Sequence, residues 1–402
     1  MSQMNIFDYL REPISITKPI RLIELFAGYG SQAMALKRIG AKFEHYRVVE
    51  FDKYAVASYN AVHGTNFQTM DITQVHAVDL AITDTKTFTY LLTYSFPCTD
   101  LSVAGKQKGM SKGSGTRSGL LWEVERILTE IRDNNGELPQ ILFMENVPQV
   151  HSQDNMPDFR KWLDFLESLG YVNYWQDLNA KNYGIAQNRE RCFMFSFLEE
   201  YNYHFPEPTP LTKHLKDCLE DNVDEKYYLN NEKAQKLIQT LIDNGTLPDT
   251  IPSRAEQSRA EQSRAEQRLE VNMQGTSNCL TSVQKDNLLL EKPLLLGGIG
   301  KENEFGSQYR QGNRVYSSDA CAMALNSQPV GNAGGNSYLY NVGYRIRKLT
   351  PRECGRLMGV PDEDIDKMAA VNSNTQLYKQ FGNSIVVDVM CAMFKNLNIN
   401  QK

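Results

Sequence analysis

The sequence predicts an α/β fold, a doubly wound and mostly parallel sheet with a smaller, loop-rich second domain. Three observations predict it. Short apolar runs alternate with amphipathic helical patterns through residues 1–200, a glycine turn follows the first run, and the alternation stops beyond residue 200.

Arg21-Leu22-Ile23-Glu24-Leu25-Phe26 reads as the first strand, Ser31 to Arg38 as a helix ended by Gly40, and Tyr46 to Glu50 as the second strand. Phe88 to Ser95 and Ile141 to Glu145 are two further strands, with helical periodicity in Leu120 to Arg132 and Asp158 to Leu169. Tyr201 to Pro210, aromatic and proline-rich, marks the exit from a first domain spanning 1–200. A second domain is expected over 201–345. Glu232 to Asp243 has a helical pattern, and Ser253 to Gln267 repeats Ser-Arg-Ala-Glu-Gln three times. A five-residue period advances about 500° around a helix, so no apolar stripe forms. Either a solvated helix or a linker is expected there. Leu296-Gly297-Gly298 and Gly331-Asn332-Ala333-Gly334-Gly335 signal turns. Residues 346–402 return to the first domain, with Ile385 to Phe394 as a closing apolar helix.

Bulk properties narrow the class. At 402 residues the chain is long enough for one large core and a smaller one. Nowhere does an apolar stretch reach the roughly 20 residues a membrane helix needs. The N-terminus lacks a basic start followed by an apolar block, so a cytoplasmic protein is expected. Seven scattered cysteines without a CxxC pair argue against both a disulfide framework and a structural zinc site, and no metal is expected. Cys192, Cys218, Cys279, Cys321, Cys354 and Cys391 read as small buried hydrophobes. The net charge of −5 does not point to nucleic acid, yet residues 271–350 hold 8 Lys/Arg against 5 Asp/Glu, which leaves a local basic surface open.

Phe26-Ala27-Gly28-Tyr29-Gly30-Ser31 joins a strand to a helix, where glycines allow a tight turn and close approach of a ligand. Glu50 ends the next strand about 20 residues on, the place for an acid that accepts ribose hydroxyls. Phe51 is placed to stack on an adenine. Asp71, with Ile72, either reads the adenine amino group or caps a helix. This spacing suits a nucleoside cofactor and does not separate NAD, hence a dehydrogenase, from S-adenosylmethionine.

Cys98, in Ser95-Phe96-Pro97-Cys98-Thr99-Asp100-Leu101-Ser102, follows a strand and so sits where ligands bind in this fold. Pro97 fixes the turn that aims the thiol. A nearby helix N-terminus or cation is expected to lower the thiol pKa. Glu145 ends the next strand in Met144-Glu145-Asn146-Val147-Pro148 and is an acid/base candidate. In Gln187-Asn188-Arg189-Glu190-Arg191, alternation sets Arg189 and Arg191 on one strand face, suited to a base carbonyl, a carboxylate or a phosphate.

Together these residues resemble the cytosine-C5 DNA methyltransferase family of bacterial and phage type. Phe26-x-Gly28-x-Gly30, Glu50, Asp71, Pro97-Cys98, Glu145-Asn146-Val147, Gln187-x-Arg189-x-Arg191, Arg347-Lys348-Leu349-Thr350-Pro351-Arg352-Glu353 and Gly382-Asn383-Ser384 follow its motifs in order. The resemblance implies the fold of S-adenosylmethionine-dependent methyltransferases, with 1–200 and 346–402 as catalytic and cofactor-binding parts and 201–345 as the target-recognition domain. It implies that cytosine is flipped out of the duplex, that Cys98 attacks C6, that Glu145 holds N3, and that Arg191 holds O2 with Arg189 in support. S-adenosylmethionine is the implied methyl donor, with Phe26, Gly28, Gly30, Glu50, Phe51, Asp71, Ile72, Pro97, Leu120 and Asn383 around it.

The stretch from Thr99 to Ser118, with Gly105, Gly109, Gly113 and Gly115, resembles the family's mobile loop. Thr99 and Ser102 are expected to touch DNA. Thr99 departs from the Gln that many members carry, which bears on how the emptied place in the duplex is filled. Recognition residues are expected within 270–345, among them Asn278-Cys279-Leu280-Thr281 and Asn313-Arg314-Val315-Tyr316, with Arg314 set to pair with guanine. Duplex DNA is the expected partner and a monomer the expected state. Companionship with a restriction endonuclease and independent action both stay open. An RNA cytosine methyltransferase on the same fold is the alternative, and the large insert between Arg191 and Arg347 argues for DNA.

Overall fold

In a computed structural model of the chain, the described residues are 14–101, 109–228, 232, 280 and 347–399, together with the backbone of 256–262, 267–272, 277–278, 287–291, 295–298, 314–316 and 345–346. Ser102, Gly105, the helical pattern over 233–243, Cys279, Cys321, Asn313 and the turn at 331–335 lie outside the described residues.

The first part of the chain forms strands β1 (Ile20–Leu25), β2 (Phe43–Val49), β3 (Thr89–Tyr94), β4 (Ile141–Asn146), β5 (Val172–Asn179), β6 (Gln187–Asn188) and β7 (Glu190–Phe197). Helices α1 (Ser31–Arg38), α2 (Lys53–His63), α3 (Ala77–Leu80), α4 (Leu121–Asp133) and α5 (Met156–Ser168) lie between them. One sheet takes the order β2-β1-β3-β4-β7-β5, parallel from β2 to β4 and antiparallel at β7 and β5. The inner strands are buried along their whole length, which explains their continuous apolar runs. Alternation splits the core in two. Leu22, Leu91 and Phe143 face α1 on one side; Ile23, Leu92 and Leu142 face α4 and α5 on the other.

Residues beyond β7 stay on this unit, with Tyr203, Leu215 and Cys218 in the same core as α1. The C-terminal part adds α6 (Pro351–Leu357), α7 (Asp362–Val371), α8 (Asn374–Asn383) and α9 (Val387–Lys395). Thr350 and Glu353 cap α6 reciprocally, and Pro351 opens it. Met390 and Phe394 of α9 close the α1 face of the sheet, as the apolar pattern predicts.

A second sheet runs β14-β11-β8-β9, antiparallel throughout, from β8 (Glu256–Gln262), β9 (Gln267–Asn272), β11 (Asn287–Glu291) and β14 (Arg345–Lys348). β10 (Ser277–Asn278) pairs with β6, and β12 (Leu295–Gly298) pairs with β13 (Arg314–Tyr316), which carries Arg314. The Ser-Arg-Ala-Glu-Gln repeat therefore contributes a strand over Glu256–Gln262, neither a solvated helix nor a linker. Pairing with β9 and β11 satisfies its backbone and overrides the helix preference of Ala, Glu, Gln and Arg.

β14 joins the two sheets' neighbourhoods through Arg347. Its guanidinium, 1% exposed, grips the fully buried Glu353 carboxylate at 2.7 and 2.8 Å. Glu353 also accepts the Thr350 and Glu220 backbone N–H groups. Every lone pair direction of this buried acid is used, which is what makes its burial tolerable.

Candidate active site

Chain order reverses between β1 and β3, so these neighbours form the switch point of the sheet. β1 to β4 are parallel, and their carboxyl ends bring Phe26–Gly30, Glu50–Phe51, Ser95–Cys98 and Glu145–Asn146 to one edge.

On one side of that edge lies a cradle. Phe26, Gly28 and Gly30 all have positive φ, at 59°, 57° and 81°. For Phe26 this is a strained conformation of the kind that persists at binding sites. A Cβ on Gly30 would lie 2.4 Å from His63 Nε2 and 2.6 Å from the Tyr59 ring, so only glycine fits. A Cβ on Gly28 would meet nothing within 4 Å, which leaves open space above the turn. Glu50 braces the turn: its two oxygens accept the Gly28 N–H at 2.9 Å and the Asp52 N–H at 2.8 Å. Burial nevertheless raises its pKa above the usual carboxylate range. Phe51 beside it is 76% exposed, an aromatic face with no protein cover. Asp71 is exposed and caps the 3-10 turn Ile72–Gln74 by accepting from Thr73, with Ile72 buried beneath. Pro97 and Leu120 are half-buried and Asn383 is exposed at the end of α8.

On the other side lie a thiol and a buried ion pair. Cys98 is a half-buried free thiol just past β3. Glu145, 7% exposed at the end of β4, pairs with Arg191 of β7, whose Nε lies 3.3 Å from Glu145 Oε1. Arg191 also donates to the Glu190 carbonyl at 2.7 Å. Arg189 falls in the break between β6 and β7 rather than on a strand face. Its buried guanidinium donates to the carbonyls of Gly382, Ser384 and Leu280, tying the C-terminal segment and residue 280 to the site. Both arginines still act on the two acids. Burial raises the Glu145 pKa, and Arg191 and Arg189 oppose the rise. The Cys98 thiol is likewise held above its ordinary value, first by burial, then by the Glu145 charge, against Arg191 and Arg189. The expected lowering by a cation is present but outweighed by burial and the Glu145 charge together.

Several residues that hold this geometry carried no assigned role in the sequence. Asn146, 2% exposed, donates to the Phe96 carbonyl at 2.9 Å and accepts the Val147 N–H at 2.9 Å, pinning the turn that bears Cys98 to β4. Ser118 donates to the Pro97 carbonyl at 2.7 Å and accepts the Asp100 N–H, and Asp100 accepts the Arg117 N–H. Gln187 donates to the Leu357 carbonyl at 2.7 Å and accepts the Leu280 N–H at 3.1 Å. Asn146 and Gln187 stand inside the family motifs; Asp100 and Ser118 lie in the stretch after Cys98, where no local pattern marks their pairing. Thr99 is exposed next to the thiol. Gly109, Gly113 and Gly115 all have positive φ, as turns in the segment before Ser118 require. Arg314 lies in β13, described by backbone alone.

Comparison with known proteins agrees with this architecture. A Type II methyltransferase, M2.ScrFI of Lactococcus lactis subsp. cremoris, is 33% identical over 427 residues, covering 94% of this chain and 99% of that protein. Type II methyltransferase M.HhaI of Haemophilus parahaemolyticus is 32% identical, covering 92% of each chain. Orphan methyltransferase M.SPBetaI of Bacillus phage SPbeta is 27% identical, covering 94% and 97%. Among solved structures, the Entamoeba histolytica methyltransferase EhMeth superposes with a TM-score of 0.59 at 16% identity, covering 94% of this chain and 98% of that one. The S. pombe Dnmt2 methyltransferase gives 0.55 at 18% identity, covering 94% and 97%, so both show a common fold. Residues 20–398, spanning the glycine turn, Cys98, Glu145, Arg191 and the returning C-terminal helices, match the C-5 cytosine-specific DNA methylase family, and the chain belongs to it.

Proposed function

We propose that the chain carries out its family's reaction, C5 methylation of cytosine in duplex DNA, by taking the base out of the helix onto Cys98 and drawing the methyl group from S-adenosylmethionine. The observation that carries this reading is the meeting of the Cys98 thiol with the buried Glu145–Arg191 pair at the switch point.

The cradle fits an adenosine group. The space above Gly28, the exposed Phe51 ring, the Glu50 carboxylate and the outward carboxyl of Asp71 offer a ribose acceptor, a stacking face and an amino-group acceptor. Phe26, Gly30, Ile72, Pro97, Leu120 and Asn383 complete its walls. When bound there, S-adenosylmethionine supplies an electrophilic methyl group.

The chain's own residues do the rest. Glu145 in its protonated form donates to cytosine N3, which draws electron density out of the ring. Arg191, held by Glu145, supports the base carbonyl at O2 with Arg189 behind it. Cys98 sulfur forms a bond to C6, and the ring electrons so displaced make C5 nucleophilic. After C5 is methylated, a base removes the C5 proton and the Cys98–C6 bond breaks, returning the thiolate. Thr99, Ser102 and Arg314 are assigned to DNA contacts.

The family match favours DNA over RNA as substrate. A monomer is proposed. No helix among the described residues is long and apolar enough to cross a membrane; a cytoplasmic location is part of the proposal. Relatives named Type II and relatives named orphan are both similar to this chain, so a restriction companion is proposed for the former setting only.

The test offers labelled methyl donor with genomic duplex DNA or with tRNA, followed by bisulfite sequencing. Cys98→Ser should abolish transfer to DNA while duplex binding persists. A duplex carrying 5-fluorocytosine, which has no C5 proton to lose, should trap a denaturant-stable adduct with the native chain alone. Labelled tRNA beside unlabelled DNA, or substantial activity in Cys98→Ser, refutes the reading.

A further inference from the structure

Three side chains from distant points of the sequence converge behind the methyl-transfer site. His151 ends the 3-10 turn Pro148–His151, Asp177 lies in β5 and Cys192 in β7. Their ligand atoms all lie within 4.8 Å of one another. Asp177 and Cys192 are direct partners across β5 and β7, so their side chains leave the sheet on the same face. His151 Nε2 stands 2.9 and 3.0 Å from the two Asp177 oxygens.

Imidazole, carboxylate and thiolate form a mixed donor set that suits a cation of borderline softness. Cys192 is fully buried, whereas His151 and Asp177 keep 21% and 30% side-chain exposure, so the group is open to solvent from one side. That opening gives a cation a path to the three donors. The His151 ring packs on Trp175 at 4.9 Å and on Phe159 at 6.3 Å, an apolar shell that holds the imidazole in place.

We propose that His151, Asp177 and Cys192 bind a divalent cation of the Zn2+ class at the β5–β7 edge, separate from the methyl-transfer site. Zinc bonds of about 2.0–2.3 Å put ligand atoms about 3.5 Å apart. The widest pair closes by about 1 Å on that scale, and the His151–Asp177 pair opens slightly. Cys192 releases its thiol proton to solvent, and His151 ligates through a proton-free Nε2 with a ring proton on Nδ1. Binding therefore releases the thiol proton and tightens as pH rises. Cys192 directly follows Arg191 and faces Asn146 across β4, so the bound cation braces the strand that presents Arg191.

Co2+ is the probe, titrated into the full chain with Cys98→Ser to remove the half-buried thiol. One equivalent should give a sulfur-to-cobalt charge-transfer band and intense tetrahedral visible bands, displaced by Zn2+. Adding Cys192→Ser should abolish the charge-transfer band in a chain that still gives a cooperative metal-free thermal melt. His151→Ala, at a more exposed position, should weaken Co2+ by more than the roughly 10–100-fold that loss of an outer-shell partner costs. A missing band, a band that survives Cys192→Ser, or unchanged affinity in His151→Ala overturns the proposal.

Discussion

Asn146→Asp isolates the support of Cys98, the proposed nucleophile, from the thiol itself. The asparagine donates from Nδ2 to the Phe96 carbonyl and accepts the Val147 N–H through Oδ1, both at 2.9 Å and both buried. Aspartate keeps the shape and the acceptor and loses the donor. The Phe96 carbonyl, left unpaired, costs about 1–3 kcal/mol in stability if the turn stays in place. If the turn relaxes instead, Pro97 and Cys98 move with it, and a shift of about 1 Å at a reacting group costs on the order of 100-fold in rate. The two outcomes trade against each other, so the variant loses stability, kcat or some of both. Single-turnover methyl transfer, the KM for DNA and a urea melt read them separately. Protonated aspartate regains a donor, so the loss should shrink as pH falls. A variant with native kcat, native stability and no change in pH profile shows that Asn146 does not position Cys98.

Glu145→Gln removes the negative charge that helps to hold the Cys98 thiol up. Alkylation of Cys98 by iodoacetamide near pH 7 should speed up while methyl transfer falls, since the glutamine amide can hydrogen-bond to N3 but cannot pass a proton to it. Arg347→Met should cost about 3–5 kcal/mol in a urea melt, because it strands the buried Glu353 charge. The paired Arg347→Met/Glu353→Leu chain should recover part of that loss. Burial pushes Glu24 up to about 7 against an ordinary value of 4.5, with the Tyr59 hydroxyl bond opposing. The folded state thus keeps a proton that the unfolded chain gives up, and its stability is full below pH 4.5 and is lost as pH rises through about 7. Glu24→Gln should gain on the native chain across that window by up to about 3 kcal/mol, measured as urea midpoints at several pH values.

Much of this was legible because the strands that place the site are buried on both faces. β1, β3 and β4 write themselves as apolar runs, and in a parallel sheet whatever follows such a run arrives at the same edge. The positions of Cys98 past β3 and Glu145 at the end of β4 are readable that way. β5 was not read as a strand, since Val172–Asn179 is a half-exposed edge with mixed residues. Strand β8 was missed for a different reason: its residues prefer helix, and only pairing with β9 and β11 makes it extended. The cluster of His151, Asp177 and Cys192 has no spacing signature at all. It exists through the register that sets Asp177 opposite Cys192, which no local pattern encodes. Arg189 shows the limit of periodicity, since a one-residue break between β6 and β7 replaces the expected strand face by a set of backbone carbonyl contacts.

The raised pKa values of Cys98 and Glu145 belong together. The proposed reaction needs the thiol ionised and the carboxyl protonated, yet each is disfavoured as an anion by burial, and Glu145 in its charged form also holds the thiol up. Without a base in the pocket, Arg191 is engaged by Glu145. In the proposed complex Glu145 is neutral as it donates to cytosine N3, which removes its charge, the second cause that holds the Cys98 thiol up, while burial, the larger one, remains. Arg191 and Arg189 then act on the thiol without an opposing charge. Nucleophilicity is thereby tied to the presence of the base that is to be attacked. A solvent-exposed thiolate of ordinary reactivity in the DNA-free chain, with alkylation unaffected by Glu145→Gln, is incompatible with this coupling.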